Sequence, residues 1–245
     1  MGEVTGAPAG FCDRAWAQVE GLVDAIAGHP FNRHLEDGTL DPERFAFYLA
    51  QDARYLVGFA RALSTASARS PDPDDAAFLA GSARTALAVE RSLHSEYLAA
   101  SGVAATDFPL SPTCLAYSSY LQAAAFAEPY PVAVAALLPC FWVYHHVGTG
   151  ILERGAGGPG HPYQRWIATY GAPEFAESTA TMREVVDGAA RGAGRGGEEA
   201  MLEAFVRAAE YEWMFWESAW LMERWPTSGL VGTAGQASVV GSGPP

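Results

Sequence analysis

The sequence predicts an all-α fold, and three observations carry that expectation. No long alternating run of β-branched residues occurs, apolar residues recur at helical spacing through most of the chain, and Pro and Gly fall where helices would end. With 245 residues, 49% of them hydrophobic and 18% charged, the chain has room for one large core.

A first helix is predicted over Cys12–Ala27, closed by Gly28, and His29-Pro30-Phe31-Asn32 reads as a break because proline disfavours helix in the residue before it. A second starts at Asp41, which can cap free amides, with Pro42 in the first turn and Phe45, Tyr48, Leu49, Leu56 and Phe59 near one face. It is predicted to run to Ser67, and Pro71-Asp72-Pro73 ends the segment. The next amphipathic stretch covers Asp74–Ala100 and stops at Gly102. Two aromatic-rich helices follow, over Pro112–Ala127 and Val132–Leu152, with Glu128-Pro129-Tyr130-Pro131 as the turn between them. Gly155–Gly160 reads as a loop, Tyr163–Tyr170 and Glu174–Ala190 as helices, Gly192–Gly197 as a linker, and Glu198–Arg224 as the last helix. One domain is therefore expected over residues 12–226, after a flexible start at 1–11 and before a disordered Gly/Ser/Ala tail at 227–245.

Charge narrows the function classes. Twenty-eight acidic against 15 basic residues leave a net charge of −13, so the electrostatic footprint of a nucleic-acid or anionic-membrane binder is missing. All 15 basic residues are arginine, which removes mechanisms that need a lysine amine, such as Schiff bases and the phosphate-loop lysine. Three cysteines with no CxxC pair indicate neither a disulfide framework nor a structural zinc site, and a reducing cytosol fits them best. The apolar run Pro131–Tyr144 is too short to span a bilayer, and the expected location is cytoplasmic.

Three segments hold side chains that need explaining. Pro139 inside the apolar helix removes a backbone hydrogen bond and can present Cys140 to a cavity, with Tyr144 one turn on. Cys140 is then either a nucleophilic thiol or a small buried hydrophobe. Asp52, with Tyr55 and Phe59, lies on or beside the apolar face of the second helix, where a carboxylate must pair within the protein, for example with Arg54 or Arg61, or meet a ligand bearing hydrogen-bond donors. Glu212, set in Tyr211-Glu212-Trp213-Met214-Phe215-Trp216, should have a raised pKa and suit a general acid near neutral pH. For metals, Glu90 with His94 and the adjacent His145 and His146 are the available set, but two Glu-x-x-His motifs are lacking and adjacent helical histidines point about 100° apart.

Six pieces, in order, resemble the TenA or thiaminase II family. They are His29-Pro30-Phe31 with Asp37-Gly38-Thr39-Leu40; Phe47-Tyr48-Leu49-Ala50-Gln51-Asp52-Ala53-Arg54-Tyr55-Leu56; Ala116-Tyr117-Ser118-Ser119-Tyr120; Leu137-Leu138-Pro139-Cys140-Phe141-Trp142; Tyr163-Gln164-Arg165-Trp166-Ile167 with Thr169-Tyr170; and Tyr211 to Trp216. The resemblance covers nearly everything from Cys12 to Pro226 and implies a heme-oxygenase-like all-α fold without heme. It implies that Cys140 is the nucleophile toward a pyrimidine ring and Glu212 the acid/base. Asp52 would hold the aminopyrimidine edge, and Tyr55, Phe59, Tyr117, Tyr144 and Tyr170 would complete the substrate site. The departure is His145-His146 after Tyr144, where an aromatic or apolar residue and an acid are expected.

The implied reaction converts 4-amino-5-aminomethyl-2-methylpyrimidine and water to the 5-hydroxymethyl compound and ammonia, or cleaves thiamine to the same pyrimidine, with no metal or organic cofactor. Two other readings stay open: an oxidase on the same fold, cofactorless or di-iron, and a non-catalytic pyrimidine or thiamine binder. The family commonly forms homotetramers, for which Trp220 and Phe126 are candidate interface aromatics.

Overall fold

The computed structural model describes residues 10–89, 97 and 108–230. Among these residues the chain is helical without strands: α1 (Phe11–Ala27), α2 (Pro30–Glu36), α3 (Pro42–Arg69), α4 (Pro73–Val89), α5 (Pro112–Ala127), α6 (Tyr130–Glu153), α7 (Gln164–Tyr170) and α8 (Pro173–Leu221). Residues 1–9, most of the predicted stretch up to Ala100 beyond Val89, and the tail from 231 lie outside the described residues, and with them Glu90 and His94.

Local chemistry accounts for most helix starts. Asp41 accepts from the Glu43 amide at 2.9 Å ahead of Pro42, and Ser111 caps α5 through the Cys114 amide at 3.1 Å. The break predicted at His29–Asn32 is instead a two-turn helix. The His29 ring Nδ1 accepts the Phe31 amide at 3.1 Å, so the histidine itself caps α2, and Pro30 takes a position where no amide hydrogen is needed. Tyr130, expected in a turn, likewise belongs to α6, with Pro129 at its N-cap.

The Gly192–Gly197 linker is also corrected. Helix runs through it, interrupted only at Gly194, whose φ of 66° and ψ of 172° break α8 at a single residue. Glycine tolerates that conformation without a Cβ clash. The last helix ends at Leu221, three residues before the predicted Arg224, because Met222 turns left-handed. Trp225 then ties the following chain back by donating its indole N–H to the Leu110 carbonyl at 2.8 Å.

The buried core centres on α6, which packs against α8, α3, α5, α7 and α1. Its 24 residues make it long and apolar enough to cross a membrane, against the shorter estimate from the apolar run alone, but 78% of its most apolar window is buried inside the protein. α3 lies between α4 and α5, and its Gln51 clamps the start of α5 by donating to the Pro109 carbonyl and accepting the Ser111 amide, at 3.0 and 2.9 Å. α3 and α6 thus bring the Asp52 and Cys140 segments to one place.

Candidate active site

A cavity of about 470 Å³ opens between α3, α4, α6, α7 and the start of α8. Six of the eight sequence-predicted site residues line it: Asp52, Tyr55, Phe59, Cys140, Tyr144 and Tyr170. The other two, Tyr117 and Glu212, do not line it but sit buried just behind. The Tyr117 ring stacks on Tyr55 at 4.9 Å between centroids, and its hydroxyl donates to Glu212 Oε1 at 2.7 Å.

Helix geometry explains the grouping. Asp52, Tyr55 and Phe59 recur at i, i+3 and i+7 of α3, and Tyr55 and Phe59 stack at 5.7 Å. Cys140 and Tyr144 are one turn apart on α6, directly after the internal Pro139. Tyr170 ends α7 and reaches Tyr144 at 4.8 Å between ring centroids. That approach needs a missing side chain: a Cβ on Gly148 would stand 2.8 Å from Tyr170, so glycine lets α7 close on α6.

Tyr48, which sequence reasoning placed only on the apolar face, lies one turn before Asp52 at the centre of an aromatic cluster. Its hydroxyl accepts the Trp166 indole N–H at 3.2 Å and donates to the Tyr144 hydroxyl at 3.4 Å, while its ring stacks on Trp216 at 5.2 Å. Sequence reasoning also missed the α4 wall, to which Phe78, Ser82, Arg84 and Thr85 contribute, and the α8 edge with Glu174 and Phe175. Phe78, Ser82 and Thr85 share the i, i+4, i+7 spacing of one helix face, a signal present in the sequence but indistinguishable from an ordinary core stripe.

Burial sets the protonation states. It lifts the Glu212 carboxyl to about 8, with the Tyr117 hydrogen bond opposing and the Asp52 charge adding. Glu212 therefore holds its proton at neutral pH. Burial likewise pushes the Cys140 thiol well above its ordinary value, Glu212 adds to the shift, and the nearby Tyr55 hydroxyl pulls the other way. The buried Tyr55 hydroxyl makes no well-formed hydrogen bond within the protein, which leaves it available to a Cys140 thiolate or a ligand. The site at rest is thus a neutral thiol and a neutral carboxylic acid around a carboxylate-bearing, aromatic cavity.

His145 and His146 do not enter it. The His145 ring is 3.2 Å from the Thr149 hydroxyl and packs near Phe175, and His146 stands edge-on to Trp16. Among the described residues no three His, Cys, Asp or Glu side chains converge as metal ligands. Trp220, expected to be exposed, is half-buried: Arg44 lies 3.7 Å over its ring and His34 stacks beside it.

The sequence profile of the TENA/THI-4/PQQC family matches residues 16–222. An aminopyrimidine aminohydrolase of Bacillus subtilis is 33% identical over 82% of this chain and 86% of its own length. The thiamine biosynthesis multifunctional protein ThiED of Corynebacterium efficiens is 37% identical over 87% of this chain, which spans 29% of that longer protein. Among solved structures, the TenA homologue of P. horikoshii OT3 is 28% identical with a TM-score of 0.78, covering 87% of this chain and 99% of its own. A Shewanella denitrificans domain described as having a heme oxygenase-like fold covers 86% of this chain and 92% of its own, at 13% identity and a TM-score of 0.66. The helical arrangement here is of that heme-oxygenase-like kind.

Proposed function

Because the chain belongs to the TENA/THI-4/PQQC family, we propose that it is a hydrolase acting on an aminopyrimidine of the thiamine pathway, with Cys140 as nucleophile and Glu212 as acid and base. The observation that carries this reading is the convergence on one aromatic cavity of a buried thiol, a carboxylate and, behind them, a carboxyl raised to about 8.

Asp52 accepts a hydrogen bond from the 4-amino group and, once the adjacent ring nitrogen is protonated, from its N–H, while Tyr55, Tyr144 and Tyr170 hold the ring in plane. The Cys140 sulfur adds to a ring carbon as its proton passes to a ring nitrogen, and aromaticity is lost. The released electron pair expels the amino group from the 5-methylene carbon. Glu212 gives that nitrogen a proton and ammonia leaves. Water then adds to the exocyclic methylene and returns a proton to Glu212. The sulfur departs with the ring proton, and the hydroxymethylpyrimidine is aromatic again. Each residue ends as it began, and the net change is amine plus water to alcohol plus ammonia.

A neutral Glu212 suits the first half of this cycle, since the leaving amine needs a donor. A neutral thiol means that sulfur and ring nitrogen exchange the proton during attack, with Tyr55 steadying the sulfur. The three cysteines are free and buried, which supports a reducing, cytoplasmic setting. Phe126, 79% exposed, supports self-association, which sedimentation velocity would test. For the activity itself, purified protein given 4-amino-5-aminomethyl-2-methylpyrimidine should release ammonia and the hydroxymethyl compound in equal amounts. Folded protein that yields neither overturns the proposal.

A further inference from the structure

We propose that Arg84, at the cavity rim, selects substrates whose leaving group ends in a phosphate ester: an aminopyrimidine joined through its methylene to a cationic heteroaromatic ring bearing such an ester. This rests on the hydrolase reading and deepens it by naming the leaving-group class.

The cavity divides chemically. Asp52, Tyr55, Cys140, Tyr144 and Tyr170 make a polar floor sufficient for one pyrimidine ring with small substituents. The remaining space is walled by other rings: Phe141 lies 5.7 Å from Phe59 and 6.3 Å from Phe78, and Phe175 closes the α8 side. A volume of about 470 Å³ suits a ligand larger than a single substituted ring, since sites for drug-sized ligands span about 300–1,000 Å³. Aromatic faces attract a delocalised cation, so the outer space suits a second, positively charged ring.

Charge at the opening completes the pattern. Arg84 from α4 and Glu174 from the first turn of α8 both line the cavity and both are solvent-exposed. Neither forms an ion pair with the other or with another described residue. An acid and a base that share an opening without neutralising each other can each meet a ligand charge. Glu174 complements the ring cation, and the Arg84 fork matches a phosphate dianion, with Ser82 and Thr85 lining the same cavity. That order of groups, amine edge, cationic ring and phosphate, mirrors Asp52, the phenylalanine wall with Glu174, and Arg84.

The chemistry is the hydrolysis already described with a different leaving group. The bond from the methylene carbon to the cationic ring nitrogen breaks, the nitrogen keeps the electron pair and becomes neutral, and water supplies the new C–O bond and releases one proton. The phosphate ester itself is not cleaved.

The test compares kcat/KM for thiamine and thiamine monophosphate in the wild type, Arg84→Gln and Arg84→Lys. Calorimetry measures binding of both compounds to Cys140→Ser and to the double variant that adds Arg84→Gln. The wild type should prefer the ester by about tenfold, the scale of one charge-assisted contact. Arg84→Gln should bring the ratio close to one, Arg84→Lys should keep part of it, and added salt should shrink it. Equal use of the two compounds, or a preference that survives Arg84→Gln, overturns the inference. Binding decides it independently of turnover: tighter ester binding that requires Arg84 upholds it, and equal binding refutes it. Absence of any aminomethylpyrimidine turnover would instead overturn the hydrolase reading.

Discussion

Replacing Glu212 by glutamine should change how stability depends on pH, and the size follows from its surroundings. The buried carboxyl titrates at about 8 in the folded protein against an ordinary 4.5. The sign is fixed by proton binding: between these values the folded state holds a proton that the unfolded state has lost, so stability falls as pH rises through that window. At about 1.4 kcal/mol per pKa unit, the loss is about 3 kcal/mol by pH 7 and approaches about 5 kcal/mol above pH 8. The amide of Glu212→Gln keeps an acceptor for the Tyr117 hydroxyl, now at 2.7 Å, but cannot ionise. Urea unfolding of wild type and Glu212→Gln at pH 5, 6.5 and 8, both without ligand, should give similar stabilities at the lowest pH and a widening advantage for the variant above it. Parallel curves would refute a neutral, buried Glu212 and remove the proposed proton donor with it.

Three further outcomes follow from the same geometry. Tyr117→Phe removes the one hydrogen bond that lowers Glu212, so the alkaline limb of the pH–rate profile should move to higher pH; an unmoved limb would assign it to another group. Gly148→Ala sets a methyl against the Tyr170 backbone at 2.8 Å and should push α7 off α6, lowering Tm and raising KM more than it lowers kcat; unchanged thermal unfolding and kinetics would contradict the close packing. Asp52→Asn should weaken pyrimidine binding roughly tenfold or more, as expected for loss of a charged acceptor, measured by calorimetry on Cys140→Ser; unaltered affinity would place the ring elsewhere in the cavity.

Much of the site was legible because its parts are local. Asp52, Tyr55 and Phe59 fall on one face by helical spacing, Pro139 marks the turn before Cys140, and a Glu among Tyr211, Trp213 and Phe215 announces a raised carboxyl. The cap at Asp41 marked the start of α3 for the same reason. What stayed hidden depends on partners distant in the chain. Nothing around Gly148 discloses that Tyr170 will lie against it, and nothing in Phe78 or Arg84 separates a cavity wall from an amphipathic surface. α2 was hidden because a histidine ring nitrogen, rather than a Ser or Asp oxygen, caps it. The glycine-rich stretch misled in the opposite direction, since six residues of loop composition needed only one broken residue, at Gly194.

The most direct test of the thiol mechanism pairs turnover with binding in Cys140→Ser. The serine oxygen fits where the sulfur stood, so the variant should bind the aminopyrimidine about as tightly as wild type while ammonia release falls by at least about a thousandfold. Turnover within tenfold of wild type at undiminished binding would contradict Cys140 as the nucleophile.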